Sequence, residues 1–320
     1  MYADSLAFLA PLAKFGFADR NLLLDLAHIT VAPPNVYSEK SIVWWVRAVK
    51  AFMGIQRQLH LIQSRAELSQ HRAKHHTALL FGLQHPPAGG KLERIARLGV
   101  RVTTIGYETE SEYGSGFANP KQGLTEKGKA LLEEIARCGM ILDLSHASHQ
   151  MARDALEYRE ARGLPLKVMA SHTGCFEVYA HPRNLPLDVL KGIRAADGYV
   201  GIYTLTFGLH DSDNSPCAFQ RHLDFALCHL GYTHVGIGSD GVHKRMDLKA
   251  RQAQFARMDK KLVAATNFRP RDPIEPEDFI GPDKFRCIEH YLTRSFPYSR
   301  EMLEGVMGKN FHHFLAQALS

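Results

Sequence analysis

Residues 140–146 read Met-Ile-Leu-Asp-Leu-Ser-His, and residues 168–172 read Val-Met-Ala-Ser-His. Each run is short and apolar, and each closes on a histidine, His146 and His172. Runs of this length and flanking pattern are those of strands buried on both faces of a parallel sheet. The segment between them, Gln150 to Arg162, is long enough for a crossover helix. A loop with His181-Pro182-Arg183-Asn184 follows. The stretch reads as a βαβ unit with one histidine at the carboxyl end of each strand, the end at which α/β folds place their chemistry.

The same alternation extends outward in both directions. Strand candidates fall near residues 6, 24, 79, 102, 141, 168, 200 and 235, and helical patterns separate most of them. Ser41 to Ser64 is apolar at helical spacing, Ala66 to His75 is a shorter polar helix, and Leu92 to Leu98 stops at Gly99. Thr125 opens a helix that Gly139 closes, with Leu131, Leu132 and Ile135 on one face. The spacing predicts further helices over 187–196, 218–230, 283–294 and 299–319, and an irregular charged segment over 242–282. Eight β units in a chain of this size predict a (β/α)8 TIM barrel. A doubly wound open sheet is the alternative, but it usually shows a glycine-rich phosphate turn after its first strand, which this chain lacks. Residues 1–320 are expected to form one barrel domain, with helices 283–319 packing on the barrel.

Composition narrows the function classes. The 320 residues are 45% hydrophobic and 22% charged, with a net charge of +6, the balance of a globule with a large core. Lys and Arg are spread along the chain, with short clusters such as His243-Lys244-Arg245, so the positive charge is no nucleic-acid footprint. No apolar run approaches the roughly 20 residues needed to span a bilayer. The five cysteines show no Cys-x-x-Cys spacing, which predicts reduced thiols and a cytoplasmic location. The N-terminus lacks the pattern of a signal peptide.

In a barrel, strand-end residues converge on one face. They are Gln84 after strand three, Tyr107 after strand four, His146 after five, His172 after six and Asp240 after eight. Two histidines and a carboxylate can hold one zinc ion with a water in the open position. Asp240 is either a third ligand or the group that moves the proton. Arg183, with its planar fork, suits a substrate carboxylate, and Gln84 and Asn184 are expected as further substrate contacts. With 18 histidines in the chain, most need a plainer reading. His75-His76, His312-His313, His222 and His229 read as solvated helix or loop residues, and Asp25 and His28 as packing or hydrogen-bonding residues. Trp44 and Trp45 read as core or subunit contact. The loop around Gly114-Ser115-Gly116 reads as a mobile rim.

Asp143-Leu144-Ser145-His146-Ala147-Ser148, Ser171-His172, Arg183-Asn184-Leu185-Pro186-Leu187-Asp188 and Gly236-Ile237-Gly238-Ser239-Asp240-Gly241 together resemble the membrane (renal) dipeptidase family of the amidohydrolase superfamily. The C-terminal run Met302 to Phe311 looks like its closing helix. The resemblance implies an amidohydrolase-like barrel, a dimer and a dipeptidase with two zinc ions. One ion is held by a His-x-Asp pair on strand one, and a glutamate after strand three bridges both. Histidines after strands five and six hold the second, and a histidine after strand four polarises the substrate carbonyl. His146 and His172 match the second-zinc histidines, Arg183 the carboxylate-binding arginine, and Asp240 the strand-eight aspartate. The rest departs: Pro11 and Ala13 stand where the His-x-Asp pair is expected, Gln84 replaces the bridging glutamate, and Tyr107 the strand-four histidine. The pattern resembles a divergent bacterial-type branch without the first-metal ligands. It implies a one-metal hydrolase of a small carboxylate-bearing amide or dipeptide, with Tyr107 donating to the oxyanion. A lactone or cyclic-amide hydrolase on the same half site, and a non-catalytic small-molecule-binding homologue, are the alternatives.

Overall fold

The structure, a computed structural model, describes residues 1–7, 23–34, 36–55, 58–71, 76–244, 247–266, 269, 273–295 and 297–319. Eight parallel strands follow one another in chain order: β1 Ala3–Ala7, β2 Leu26–Thr30, β3 Thr77–Leu83, β4 Val100–Thr104, β5 Ile141–Asp143, β6 Val168–Thr173, β7 Tyr199–Ile202 and β8 Val235–Ile237. The last strand returns to the first. Asp240 N–H donates to Leu6 O at 2.9 Å, the Ser5 hydroxyl reaches Ile237 O at 3.0 Å, and Ala7 bridges Gly241. The predicted (β/α)8 barrel is the observed fold.

Alternation along the strands sorts residues into the barrel and away from it. The lower inward positions are apolar. Ala3, Leu26, Ala78, Leu80, Val102, Ile141, Met169 and Tyr199 pack on Phe311, Phe314, Leu315 and Leu319, at and just after the helix Asn310–Ala318. The C-terminal helix thus seals the amino end of the barrel. The next inward positions are polar or very small: Ser5, His28, Gly82, Thr104, Asp143, Ser171, Gly201 and Gly238. A Cβ at Gly201 or Gly238 would fall 2.2 or 1.8 Å from the backbone oxygen of Ser171. Only glycine lets the strands approach this closely. Outside the sheet, helical residues such as Val46, Val49, Ile95, Leu132, Ile135, Ile193 and Leu223 complete the core.

Several elements differ from the sequence reading. Residues 248–266 form a 19-residue helix instead of an irregular segment. That helix is rich in Ala, Lys, Arg and Gln, so propensity sustains it where apolar periodicity is weak. The run from 41 to 64 divides into the helix Glu39–Ile55 and a short strand Leu59–Leu61 that pairs with β3. The loop after β4 contains a two-stranded ribbon, Glu110–Ser111 with Gly114–Ser115. The C-terminal helical run is interrupted by a π turn over Gly305–Lys309.

Candidate functional site

The loop ends of β5 and β6 build the centre of the site through one carboxylate. Asp143 Oδ1 accepts the N–H groups of Ser145 and Ser171 at 3.0 and 2.9 Å, and Oδ2 accepts the Ser171 hydroxyl at 2.5 Å. With its hydroxyl hydrogen directed at Asp143, Ser171 Oγ is placed to accept from His172 Nδ1, 2.7 Å away. This arrangement favours the Nδ1–H tautomer of His172, which turns its Nε2 lone pair towards His146 and Gln84. That Nε2 lies 2.9 Å from His146 Nε2 and 3.4 Å from Gln84 Nε2. Burial, then the charge of Arg183 and the nearby His28, hold the His172 pKa well below the ordinary imidazole value. It is neutral, as a metal ligand must be.

His146 reaches this position through an unusual backbone. Its φ of 68° is left-handed, as is the 50° of Asp240. For non-glycine residues this conformation costs on the order of 1–3 kcal/mol, and it clusters at functional sites. The His146 ring stacks on Tyr107, with centroids 4.3 Å apart and planes at 27°. Burial, followed by Glu108 and Asp240, raises the Tyr107 pKa well above that of a free phenol, so the hydroxyl keeps its proton. Asp240 Oδ2 stands 3.8 Å from His172 Nε2, with 17% of its side chain exposed. Burial lifts its carboxyl to about 7, Glu275 and Asp4 push the same way, and Arg183 and Lys284 oppose them.

Arg183 lies against this cluster. Its side chain is buried, its Nη2 donates to His172 O at 3.0 Å, and its guanidinium lies 5.9 Å from the Phe117 ring centroid and 5.6 Å from that of Tyr203. Its Nη1 is buried without a hydrogen-bond partner. Burial lowers its pKa, but a guanidinium stays charged. A fixed buried cation with an unsatisfied donor is a receptor for a carboxylate.

Residues 45–250 match the family model described as Membrane dipeptidase (Peptidase family M19). The chain belongs to the membrane dipeptidase family. Among curated relatives, Dipeptidase verJ of Clonostachys rogersoniana is 32% identical over 157 residues, which is 47% of this chain and 38% of that protein. The matched stretch thus spans less than half of that relative. Among solved structures, an amidohydrolase from Pseudomonas aeruginosa superposes with a TM-score of 0.81 at 20% identity, covering 100% of this chain and 96% of the other. A metallo peptidase from Rhodobacter sphaeroides, liganded with a phosphinate mimic of the dipeptide L-Ala-D-Ala, gives 0.77 at 17% identity over 99% of each chain. These likenesses are to the amidohydrolase-type barrel.

The chain of this M19 member brings the strand-end residues Gln84, Tyr107, His146, His172 and Asp240 to one end of the barrel, and Arg183 joins them from the loop after β6. Asn184 behaves differently. Its Nδ2 donates to Tyr179 O and Gly208 O at 2.8 and 2.7 Å, and its Oδ1 accepts the Tyr203 hydroxyl. Both amide hydrogens brace the loop, and the amide oxygen holds Tyr203 beside Arg183. His222 is also not the solvated residue expected. It is fully buried, its Nδ1 accepts Cys175 N–H at 2.9 Å, and its Nε2 meets Leu209 O at 2.9 Å. His28 lies inside the barrel, its Nδ1 2.8 Å from Ser5 O. His76 pairs with His60 at 3.0 Å, and His75 lies outside the described residues. Trp44 is 60% exposed.

The sequence reading gave no role at the site to Asp4, Phe117, Tyr203, His243, Glu275 and Lys284. Asp4 ties β1 to the end of β8: its Oδ1 accepts Ser239 N–H at 2.8 Å and Leu6 N–H at 3.1 Å, and its Oδ2 takes Ser239 Oγ at 2.6 Å and His243 Nε2 at 2.7 Å. A charged residue inside an apolar strand was the available signal.

Among the described residues, no three His, Cys, Asp or Glu side chains converge as a complete metal cage. The donor chemistry at β5 and β6 nonetheless fits one divalent ion with open positions. His172 offers an oriented lone pair, and the serine–carboxylate pair behind it is the support that metal-bound histidines commonly have. His146 Nε2 faces the same point. No comparable pair stands on β1, where Asp4 is saturated by four donors. Pro11 and Ala13 lie outside the described residues.

Proposed function

We propose that this chain is a metal-dependent dipeptidase or closely related amidohydrolase that cleaves a small carboxylate-bearing amide at a one-metal site. The observation that carries this reading is the convergence of two imidazole Nε2 atoms at 2.9 Å beside buried Arg183, whose Nη1 is left unsatisfied. His146 and His172 would hold the ion, zinc by the family resemblance, and a bound zinc polarises a carbonyl and lowers the pKa of water. Arg183 grips the substrate carboxylate and so sets which amide lies over the histidines. The protonated Tyr107 hydroxyl donates to the carbonyl oxygen as it gains charge. Asp240, 3.8 Å from His172 Nε2 and with a carboxyl near 7, would add a third ligand to the ion or take a proton from water and deliver it to the leaving amine. Gln84 orients water or substrate beside His172.

The test is the metal content of the purified chain and its cleavage of a dipeptide panel. About one zinc per chain is expected, with hydrolysis of dipeptides bearing a free C-terminal carboxylate and none of their C-terminal amides. His172→Ala should lose both zinc and activity. Undiminished cleavage after complete chelation would sink the assignment. A cytoplasmic location belongs to the same reading, supported by five free cysteines. Among the described residues no helix is long and apolar enough to cross a membrane. A homodimer, which the family resemblance implies, is part of the proposal and is checked by light scattering.

A further inference from the structure

Lys284 is the first residue of the helix Lys284–Ser295 and has no solvent exposure. Its ammonium is bound by Glu275 Oε1, which also accepts the Thr204 hydroxyl just beyond β7. The pair lies against the turn that follows β8. A Cβ at Gly241 would stand 2.1 Å from Lys284 Nζ and 2.3 Å from Glu275 Oε1. On its other side, the same turn is tied to β1 through Asp240 N–H to Leu6 O and the bridge between Gly241 and Ala7. The left-handed Asp240 backbone is thus held between β1 and a buried ion pair. Such pairs are weak contributors to stability, because a well-packed apolar replacement often does as well or better. Stability alone gives little reason to bury a lysine at the mouth of the barrel.

We propose that the Lys284–Glu275 pair is a positioning device for the candidate site: it clamps the Asp240–Gly241 turn and aims the Asp240 carboxylate at His172. The inference rests on the one-metal hydrolase reading above and extends it to residues that touch neither metal nor substrate. Glycine at 241 is part of the device, since any side chain there displaces the pair. Thr204 links it to β7, so the clamp spans the last two strands of the barrel and the C-terminal helices.

The test compares the full-length wild type with Lys284→Met/Glu275→Gln, which removes both charges at similar volume, and with Gly241→Ala, which leaves both in place but pushes them from the turn. Zinc affinity is measured by chelator competition, and kcat and KM are measured on a dipeptide that the wild type cleaves. The double variant is expected to melt within a few degrees of wild type, to lose about tenfold or more in zinc affinity, and to fall about 100-fold in kcat with KM changed less than about threefold. Gly241→Ala should show the same split, and it decides the question if the double variant does not fold. Folded variants with wild-type zinc affinity and kcat overturn the positioning role and leave the hydrolase reading intact. A wild type that neither binds zinc nor cleaves any dipeptide overturns the hydrolase reading, and this inference with it.

Discussion

At the residue scale, Asp240 carries the clearest conflict between stability and use. Its folded carboxyl is raised to about 7 from an ordinary 3.8, chiefly by burial. In the metal-free chain the folded state therefore binds a proton that the unfolded state has released across this window. Stability falls as pH rises from about 4 to about 7, by an amount on the order of 4 kcal/mol in total. Asp240→Asn removes the titration. The variant should melt several degrees above wild type at pH 8 in chelator, and the gap should close near pH 4. A gap that is the same at both pH values would show that the carboxyl is not held up by its surroundings. His172 makes a quieter point: its tautomer is set by Ser171 and Asp143, so its readiness to bind a cation is a property of three residues on two strands.

At the element scale, the ends of β6, β7 and β8 are shaped by close backbone approach. Gly238 has no room for a Cβ because the Ser171 carbonyl occupies that space at 1.8 Å. A methyl there has to push apart the two strands that position His172 and Asp240. Gly238→Ala is predicted to destabilise by about 3 kcal/mol or more, at the upper end of overpacking costs. Denaturant melts measure this directly, and a variant within about 1 kcal/mol of wild type would mean that the strands yield more easily than their packing indicates. The run Gly236-Ile237-Gly238-Ser239-Asp240-Gly241 was legible as a strand with a carboxylate at its end. That two of its glycines, 238 and 241, make room for a carbonyl and for an ion pair was not legible. The atoms concerned come from residues 171, 275 and 284.

At the scale of the whole molecule, the barrel divides its labour along its axis. The amino end is an apolar plug closed by the C-terminal helix, and the carboxyl end holds the charged and polar groups. Phe311 is fully buried in the plug and its ring lies 5.1 Å from that of Tyr199. Phe311→Ala should cost about 3–5 kcal/mol. It should leave the zinc affinity of the folded fraction unchanged, because the plug is separated from the site by the polar inner layer. Loss of zinc affinity in chain that remains folded would instead couple the two ends.

The order of residues along the chain determined the strand count, the βαβ unit and the set of strand-end side chains. Those follow from local apolar periodicity and from the rule that parallel barrels present strand ends on one face. Folding alone decided which of those side chains meet, and with what support. Asn184 looked like a substrate contact beside Arg183 but spends its amide on two backbone carbonyls and Tyr203. Asp4, to which the sequence reading gave no role, is the tie between β1 and β8. Lys284, unremarked among 39 basic residues, is buried under the turn that carries Asp240. Closure of the barrel brings Asp4 to His243 across 239 positions and Glu275 to Thr204 across 71, and no local pattern records that choice.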